Sequence, residues 1–322
     1  MSSAAVPTVS AILVTWDSAG YLPRCAEGLR SQTHARMEIV VVDNGSSDGS
    51  AELTARLMPD ARLIRNDANR GFAAAVNQGI AATAGDYVLL CNPDAFLAPD
   101  YVSRLVDALI SAGERCGAAT GKLLRATGEG IEPTAAIDSA GIRMTRSGRH
   151  LDITSDDGES VREVFGVSGA AALYRRSMLN DAAIDGEVFD EDFFSYREDA
   201  DLAWRARLLG WSALYVPQAV GYHVRRVTPE RRGELPPEIN MHSVKNRFLL
   251  RIKNEGAYLA FRNAPFEIGR DLLVLGSVVT RERTSLPALA WLWDHRRRLL
   301  AKRRAVQRRR RIGDRELARW FR

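Results

Sequence analysis

Met37-Glu38-Ile39-Val40-Val41-Val42-Asp43 runs straight into Asn44-Gly45-Ser46-Ser47-Asp48-Gly49. A nearly continuous apolar run that ends on a carboxylate and breaks into a Gly/Ser turn reads as a strand buried on both faces. Val9 to Trp16, Ala61 to Arg65 and Tyr87 to Cys91 are runs of the same kind. Between them Tyr21 to Gln32 and Phe72 to Ala84 repeat apolar residues at helical spacing. Strands without polar alternation, separated by helices, predict an α/β domain on a mostly parallel sheet with helices on both faces. Ligands of such sheets bind beyond the carboxyl ends of the strands, where Trp16, Asp43 and Asp94 fall.

Downstream, Gly128 to Glu163 is polar and glycine-rich and reads as a hairpin or loop excursion. Phe165 to Tyr174 is strand-like, Asp199 to Leu209 is a helix that Gly210 ends, and Ser212 to Val216 is a strand closing at Pro217. Beyond Arg225 the patterns are helical: Glu238 to Lys253, Ala264 to Val279 and Pro287 onward. The expected organisation is a domain over 1–225, with a first half to about 125 and a second half from about 126. A helical, basic extension follows over 226–322.

The 322 residues are 46% hydrophobic and 26% charged, as in an ordinary globular protein. Cys25, Cys91 and Cys116 are scattered, so neither a disulfide framework nor a zinc site is implied, and a reducing cytoplasm fits. Met1 to Thr8 has no basic start and no apolar stretch of signal length. Leu272 to Val279 is far short of the roughly 20 residues a membrane span needs. The net charge of +5 hides an asymmetry. From Arg281 to Arg322 there are 15 Lys and Arg against four acids, a balance of +11, and the first 280 residues carry −6.

Asn92-Pro93-Asp94 follows the run Tyr87 to Cys91 and puts a carboxylate at a strand tip, where it can hold Mg²⁺ or Mn²⁺ against a diphosphate or simply cap the next helix. His223, after the last strand, is the natural further ligand. Asp43 can accept the imide N–H of a pyrimidine or a ribose hydroxyl, or form an Asx turn. Glu198 and Asp199 open a helix, where acids complement the dipole but can also take a proton from a hydroxyl. Asp201 and Arg205 are spaced to pair. Phe189 to Tyr196 mixes acids with aromatics, as sugar-binding surfaces do.

Taken in order, Val14-Thr15-Trp16, Val42 to Gly49, Asn69-Arg70-Gly71-Phe72-Ala73, Asn92-Pro93-Asp94, Ser168-Gly169-Ala170, Phe189-Asp190-Glu191, Glu198 to Leu202, Gly210-Trp211, Pro217 and His223 resemble family 2 glycosyltransferases of the GT-A fold. The nearest subgroup is the bacterial rhamnosyltransferase-like enzymes of cell-wall and surface-polysaccharide assembly, and the resemblance covers about Val9 to Val224. It implies an inverting transfer from a dTDP- or UDP-linked sugar, with dTDP-rhamnose favoured, to a glycan or polyprenyl-diphosphate-linked acceptor. Thr15, Trp16 and Asp43 would hold the nucleoside, with Asn69, Arg70, Asn77 and Asn92 nearby. Asp94 and His223 would bind Mg²⁺ or Mn²⁺. Asp199 would be the base, assisted by Glu198, with Phe194, Tyr196 and Arg205 toward the acceptor. Asp17 stands where many relatives have Asn, and Asn92 replaces the first acid of Asp-x-Asp. The Gln-x-x-Arg-Trp signature of processive relatives is missing, which implies one sugar per acceptor.

Two other classes compete. A sugar nucleotidyltransferase would carry a basic, Gly-rich loop after the first strand, where this chain has Trp16-Asp17-Ser18-Ala19-Gly20. A nucleic-acid-binding protein could use the Arg-rich tail, but the tail lacks interleaved aromatics. Leu289, Trp291, Leu292, Trp293, Leu299 and Leu300 beside the arginines suit a helix lying on an anionic inner membrane face. The other readings of the tail are a solvated, partly disordered basic segment or a helix packed on a partner subunit in a homodimer. Since the catalytic motifs all precede Arg225, the tail reads as dispensable for the chemistry.

Overall fold

The computed structural model describes residues 5–127, 131–155, 158–225 and 236–322. The first half runs β1 (Val9–Thr15), α1 (Leu22–Arg30), β2 (Met37–Asp43), α2 (Ser50–Leu57), β3 (Arg62–Arg65), α3 (Phe72–Ala81), β4 (Tyr87–Cys91), β5 (Ala95–Leu97) and α4 (Tyr101–Ser111). The second runs β6 (Cys116–Thr127), β7 (Glu132–Ser139), β8 (Ile142–Met144), β9 (His150–Asp152), β10 (Arg162–Val164), β11 (Ala171–Arg175), α5 (Arg176–Ala182), α6 (Glu198–Leu208) and β12 (Ser212–His223). Then follow α7 (Pro237–Asn254), α8 (Ala257–Thr280), α9 (Pro287–Asp294), α10 (Arg296–Arg308) and α11 (Asp314–Leu317). Residues 226–235, the start of the expected extension, lie outside the described residues.

Among the described residues the main sheet has ten strands, in the order β10-β12-β6-β11-β4-β1-β2-β3, with β5 on β12 and β7 on β6. β1 to β4 are mutually parallel where they pair, and β12 is parallel to β6. β11 enters antiparallel between β4 and β6. β1, at the centre, is buried at every residue, which is why it shows no polar alternation. Leu22 and Leu29 of α1 and Val102 and Leu105 of α4 cover one face. Ala73 and Val76 of α3, Leu179 of α5 and Leu202 and Ala206 of α6 cover the other.

Two local expectations need correction, and the polar excursion expected as a hairpin or loop does contain a hairpin. The strand expected over Phe165 to Tyr174 forms only at its end, as β11 from Ala171; Phe165 to Ala170 is the connection from β10 and holds Ser168, Gly169 and Ala170. β12 does not close at Pro217: its register shifts between Val216 and Val220 and pairing resumes to His223. A proline lacking N–H is tolerated at such an irregularity. The polar excursion carries β7 on the main sheet and a separate β8–β9 pair.

The basic tail is not a solvated arm. Ala200, Trp204 and Leu208 of α6 form a core with Leu249 and Leu250 of α7, Leu259 of α8, Leu299 and Val306 of α10, Leu317 and Phe321. Each fully buried Leu or Phe contributes about 2 kcal/mol, so α6 and the C-terminal helices stabilise one another. Several of the cations expected to face lipid or water turn inward. Lys302 lies 2.6 Å from Asp190 and 3.1 Å from Asp192, Arg298 pairs with Asp192, and Arg303 donates to the carbonyls of Ile252 and Glu255. Trp291 and Leu292 pack against the same core, whereas Trp293 stays exposed.

Candidate active site

The carboxyl ends of β1 and β2 place Thr15 opposite Asp43. Thr15 Oγ1 donates to Asp43 Oδ1 at 2.8 Å, Ser46 Oγ donates to the same oxygen at 2.6 Å, and the Ser46 N–H donates to Oδ2 at 3.1 Å. The turn that aims Ser46 back at Asp43 needs Gly45. Its φ is +76°, and a Cβ there would stand 2.7 Å from the Ala68 backbone. Asn44 Nδ2 donates to Asn69 Oδ1 at 2.8 Å, and its Oδ1 accepts the Arg70 N–H at 3.1 Å, so one buried side chain holds the loop before α3. Trp16 and Arg70 are exposed beside this loop.

Asn77 has another use. Its amide donates to the Phe189 carbonyl at 2.8 Å and accepts the Phe189 N–H at 2.9 Å, clamping the segment before the second acidic cluster. Gly71 brings the same segment close from the other side: at φ +90° a Cβ would meet the Phe194 ring at 2.6 Å.

Asp94 sits in the turn from β4 to β5. Because β5 pairs with β12, Ala95 lies opposite His223, and the Val224 N–H donates to the Asp94 carbonyl at 2.9 Å. His223 Nε2 is 3.4 Å from Asp94 Oδ1, and Nδ1 is 2.8 Å from Asp138 Oδ2. Burial alone would lower the His223 pKa, but its bonds to Asp138 and Asp94 raise it to about 9. Asp138 is itself buried, yet His223 and Arg225 hold it down to about 2, so Nδ1 carries the proton and donates it. Arg225 donates to both Asp138 oxygens and pairs with Asp152 at 2.7 Å.

This arrangement fits a divalent ion. A histidine whose second ring nitrogen is bonded to a carboxylate, beside an aspartate oxygen, is the usual support of a metal ligand. Asn92 Oδ1 is a further oxygen, buried and without a partner among the described residues. Those residues contain no group of three or more His, Cys, Asp or Glu that could hold an ion, so Asp94 and His223 would need ligands from a diphosphate.

Asp199 opens α6 beneath a strained approach: Phe194, Tyr196 and Arg197 all have positive φ, at 64°, 67° and 75°. Its Oδ2 accepts the Gly169 N–H at 3.1 Å and its Oδ1 the Ala200 N–H at 2.7 Å. Burial raises its pKa to about 6; the Gly169 bond opposes that rise and the charge of Asp152 adds to it. Glu198 is more deeply buried, and burial and then Asp199 push it well above the carboxylate range. Asp201 is not free for chemistry, being bonded to Arg205 at 2.8 Å, Lys253 at 2.8 Å and Asn254 at 2.7 Å. Arg205 is not on the acceptor side either: it is buried and also donates to the carbonyls of Ala182 and Val188. Phe194 is half-buried, stacked on His242, while Tyr196 is exposed.

One short loop ties the two acidic centres together. The Gly169 N–H reaches Asp199, and the next carbonyl, Ala170, accepts the Asn92 N–H at 2.8 Å. Asn246 of α7 was invisible to sequence reasoning. It is fully buried, and its Nδ2 reaches the carbonyls of Phe193, Ser195 and Tyr196 at 2.9, 2.8 and 2.8 Å. Asp138, Lys253 and Lys302 were missed for the same reason, since no local pattern links them to the groups they hold.

Comparison with known proteins follows the same lines. The model of the family described as glycosyl transferase family 2 matches residues 10–182. The N-acetylglucosaminyl-diphospho-decaprenol L-rhamnosyltransferase of Mycobacterium tuberculosis (strain ATCC 25618 / H37Rv) is 32% identical over 239 residues, 66% of this chain and 74% of that protein. The putative glycosyltransferase EpsH of Bacillus subtilis (strain 168) is 27% identical over 263 residues, covering 81% and 69%. Among solved structures, the mannosyltransferase PcManGT from Pyrobaculum calidifontis in complex with GDP-Man and Mn²⁺ gives a TM-score of 0.55 at 19% identity, over 94% of this chain and 86% of that one. GalNAc-T7 with UDP, GalNAc and Mn²⁺ gives 0.61 at 15% identity over 77% of this chain, which spans about half, 48%, of that one. At these identities the structural likeness is one of fold.

Proposed function

This chain belongs to glycosyl transferase family 2, a glycosyltransferase on the GT-A fold, and from that premise we propose that it moves one L-rhamnosyl group from dTDP-rhamnose, with inversion, to a hydroxyl of a lipid-linked glycan at an anionic membrane surface. The observation that carries the mechanism is Asp199, a half-buried carboxylate held by Gly169 and tied through the 168–170 loop to the strand tip that bears Asp94. Its raised pKa suits a base working near neutrality.

In the proposed step Asp199 takes the acceptor's hydroxyl proton as that oxygen bonds to the anomeric carbon. The bond from that carbon to the diphosphate oxygen breaks on the opposite face, and its electron pair leaves with the nucleoside diphosphate. Asp43, oriented by Thr15 and Ser46, keeps acceptor capacity on Oδ2 for the imide N–H of a pyrimidine. Asp94 and His223 would hold Mg²⁺ or Mn²⁺. When bound, that ion neutralises charge developing on the diphosphate. Burial and then Asp199 push the Glu198 pKa up, toward the neutral form, which limits the negative charge beside the base. The relative that acts as an L-rhamnosyltransferase supports the donor, and its diphospho-decaprenol name supports a lipid-linked acceptor.

Incubation with a panel of sugar nucleotides, reading released dTDP, UDP or GDP, tests the reading. Turnover of dTDP-rhamnose above the others is expected. Preference for a GDP-linked or UDP-linked sugar would overturn the donor assignment, and release from none of them the reaction.

A further inference from the structure

Helix α8 is built inside out. Its acids point into the protein: Asp271 pairs with Arg247 at 2.9 Å and with Arg251, and Glu267 pairs with Arg251 at 3.1 Å. The opposite face is apolar and open. Phe261 is 84% exposed, Ile268 58%, Leu272 66% and Leu273 67%, with Phe266 and Val279 also exposed. Positions 261, 265, 268, 272 and 279 recur at intervals of three, four or seven, so they form one stripe along the 24-residue helix. Of the charged side chains near that stripe, Arg262 turns onto the carbonyls of Ala318 and Phe321, and Arg270, one turn beyond Phe266, is half-buried. A surface helix in water carries the reverse pattern, and a contiguous apolar patch of this kind marks a contact site.

Cations frame the stripe. Arg146 lies over the Phe266 ring at 4.1 Å, and Arg315 lies 5.6 Å from the centre of the Tyr258 ring. Arg281 and Arg283, both exposed, follow directly on the C-terminal end. Among the described residues no acid of α8 is exposed on the stripe.

We propose that the outer face of α8, and not the arginine-rich tail, is the surface by which this protein docks on an anionic lipid bilayer, its Phe and Leu side chains entering the headgroup boundary while the flanking arginines meet lipid phosphates. The proposal rests on the functional reading only for its purpose, bringing the enzyme to a lipid-linked acceptor; the face is defined by α8 itself. A second copy of the chain is the rival occupant. A two-fold contact would bring the flanking arginines of one copy against those of the other, Arg315 toward the Arg281 and Arg283 end, whereas an anionic surface attracts them all. Pro265, Gly269 and Gly276 also leave gaps in the stripe that a helix pair would have to fill. No helix among the described residues is long and apolar enough to cross a membrane, so the contact would be peripheral.

The test uses the full chain and sucrose-loaded vesicles of phosphatidylglycerol and phosphatidylethanolamine without any acceptor lipid. Wild-type protein should sediment with them and stay in solution with pure phosphatidylcholine. Leu272→Glu/Leu273→Glu should lower the partition coefficient by at least about tenfold, as expected when two large apolar side chains can no longer be buried. These residues are exposed, so the melting temperature and sugar-nucleotide hydrolysis should match wild type. Phe261→Ser, a milder change, should give a smaller loss in the same direction. Failure of the wild type to bind, or binding by the double variant equal to wild type, overturns the proposal. So does a wild-type dimer that the double variant converts to monomer with vesicle binding unchanged, which would assign the face to a second copy. Failure to bind with sugar transfer intact defeats this inference alone. Binding without release of nucleoside diphosphate from any sugar nucleotide defeats the functional reading alone.

Discussion

The role of Asp199 depends on its being the acid that tertiary contacts leave half-open, while Asp201 is tied to Arg205, Lys253 and Asn254. Asp199→Asn should lower kcat by roughly 10²-fold to 10⁴-fold with donor affinity nearly unchanged, measured by steady-state kinetics and donor titration. Wild-type turnover would move the role to another group. A base must be deprotonated to accept a proton, and the Asp199 pKa lies near 6. The value of kcat/KM should therefore fall about tenfold per pH unit below that point and level off above it. Asp138 gives a separate check on the metal reading. Asp138→Asn removes the charged partner of His223 Nδ1, so Mn²⁺ should bind roughly 10-fold to 100-fold more weakly in the presence of dTDP, read by calorimetry. Unchanged Mn²⁺ affinity would leave His223 with a structural role only.

At the scale of elements, α7 and α10 hold α6, the helix that carries Asp199, in place. The segment ahead of Asp199 has three non-glycine residues at positive φ, each costing on the order of 1 kcal/mol or more, and the Asn246 amide ties three of its carbonyls down. Asn246→Ala should cost about 3 kcal/mol in urea unfolding, because buried acceptors lose their donor. It should also raise the KM for acceptor more than it alters donor hydrolysis. A stability loss under about 0.5 kcal/mol would show that the segment holds itself. The expectation that the tail is dispensable for chemistry needs correction on the same ground. A chain ending at Thr284 loses Leu299, Val306, Leu317 and Phe321 from the core of α6, and it leaves Asp190 without Lys302. Such a chain should lack a cooperative melting transition by calorimetry. A sharp transition with full sugar-nucleotide hydrolysis would restore the tail to the status of an appendage.

Across the whole molecule, the site draws on both ends of the chain's fold. Asp43 comes from β2 near one edge of the sheet, and His223 from β12 on the far side of β6 and β11. A ligand that engages both should stabilise the molecule as one unit. The thermal midpoint should rise with dTDP and Mn²⁺ together, by the equivalent of about 2.7 kcal/mol at a hundredfold excess over Kd, and much less with either alone. Equal shifts with and without Mn²⁺ would separate nucleoside binding from the Asp94–His223 pair.

Much was legible without coordinates, because it is written in short-range pattern. A strand buried on both faces must be apolar along its length, so β1, β2 and β4 declare themselves, and the residues at their tips follow at once: Thr15, Asp43 and Asp94. Asp199 was legible as the opening of a helix, and His223 as the end of a strand. Which acid stays open and which is neutralised was not legible, since those partners lie far away in sequence: 85 residues separate His223 from Asp138, and 52 separate Lys253 from Asp201. The tail misled for the same physical reason. Composition reports that arginine and leucine are present, but whether they face lipid, water or the back of α6 is decided by which surface is still uncovered once the sheet has closed. That surface was the outer side of α6, and covering it turned Lys302 and Phe321 inward and left the apolar side of α8 facing out.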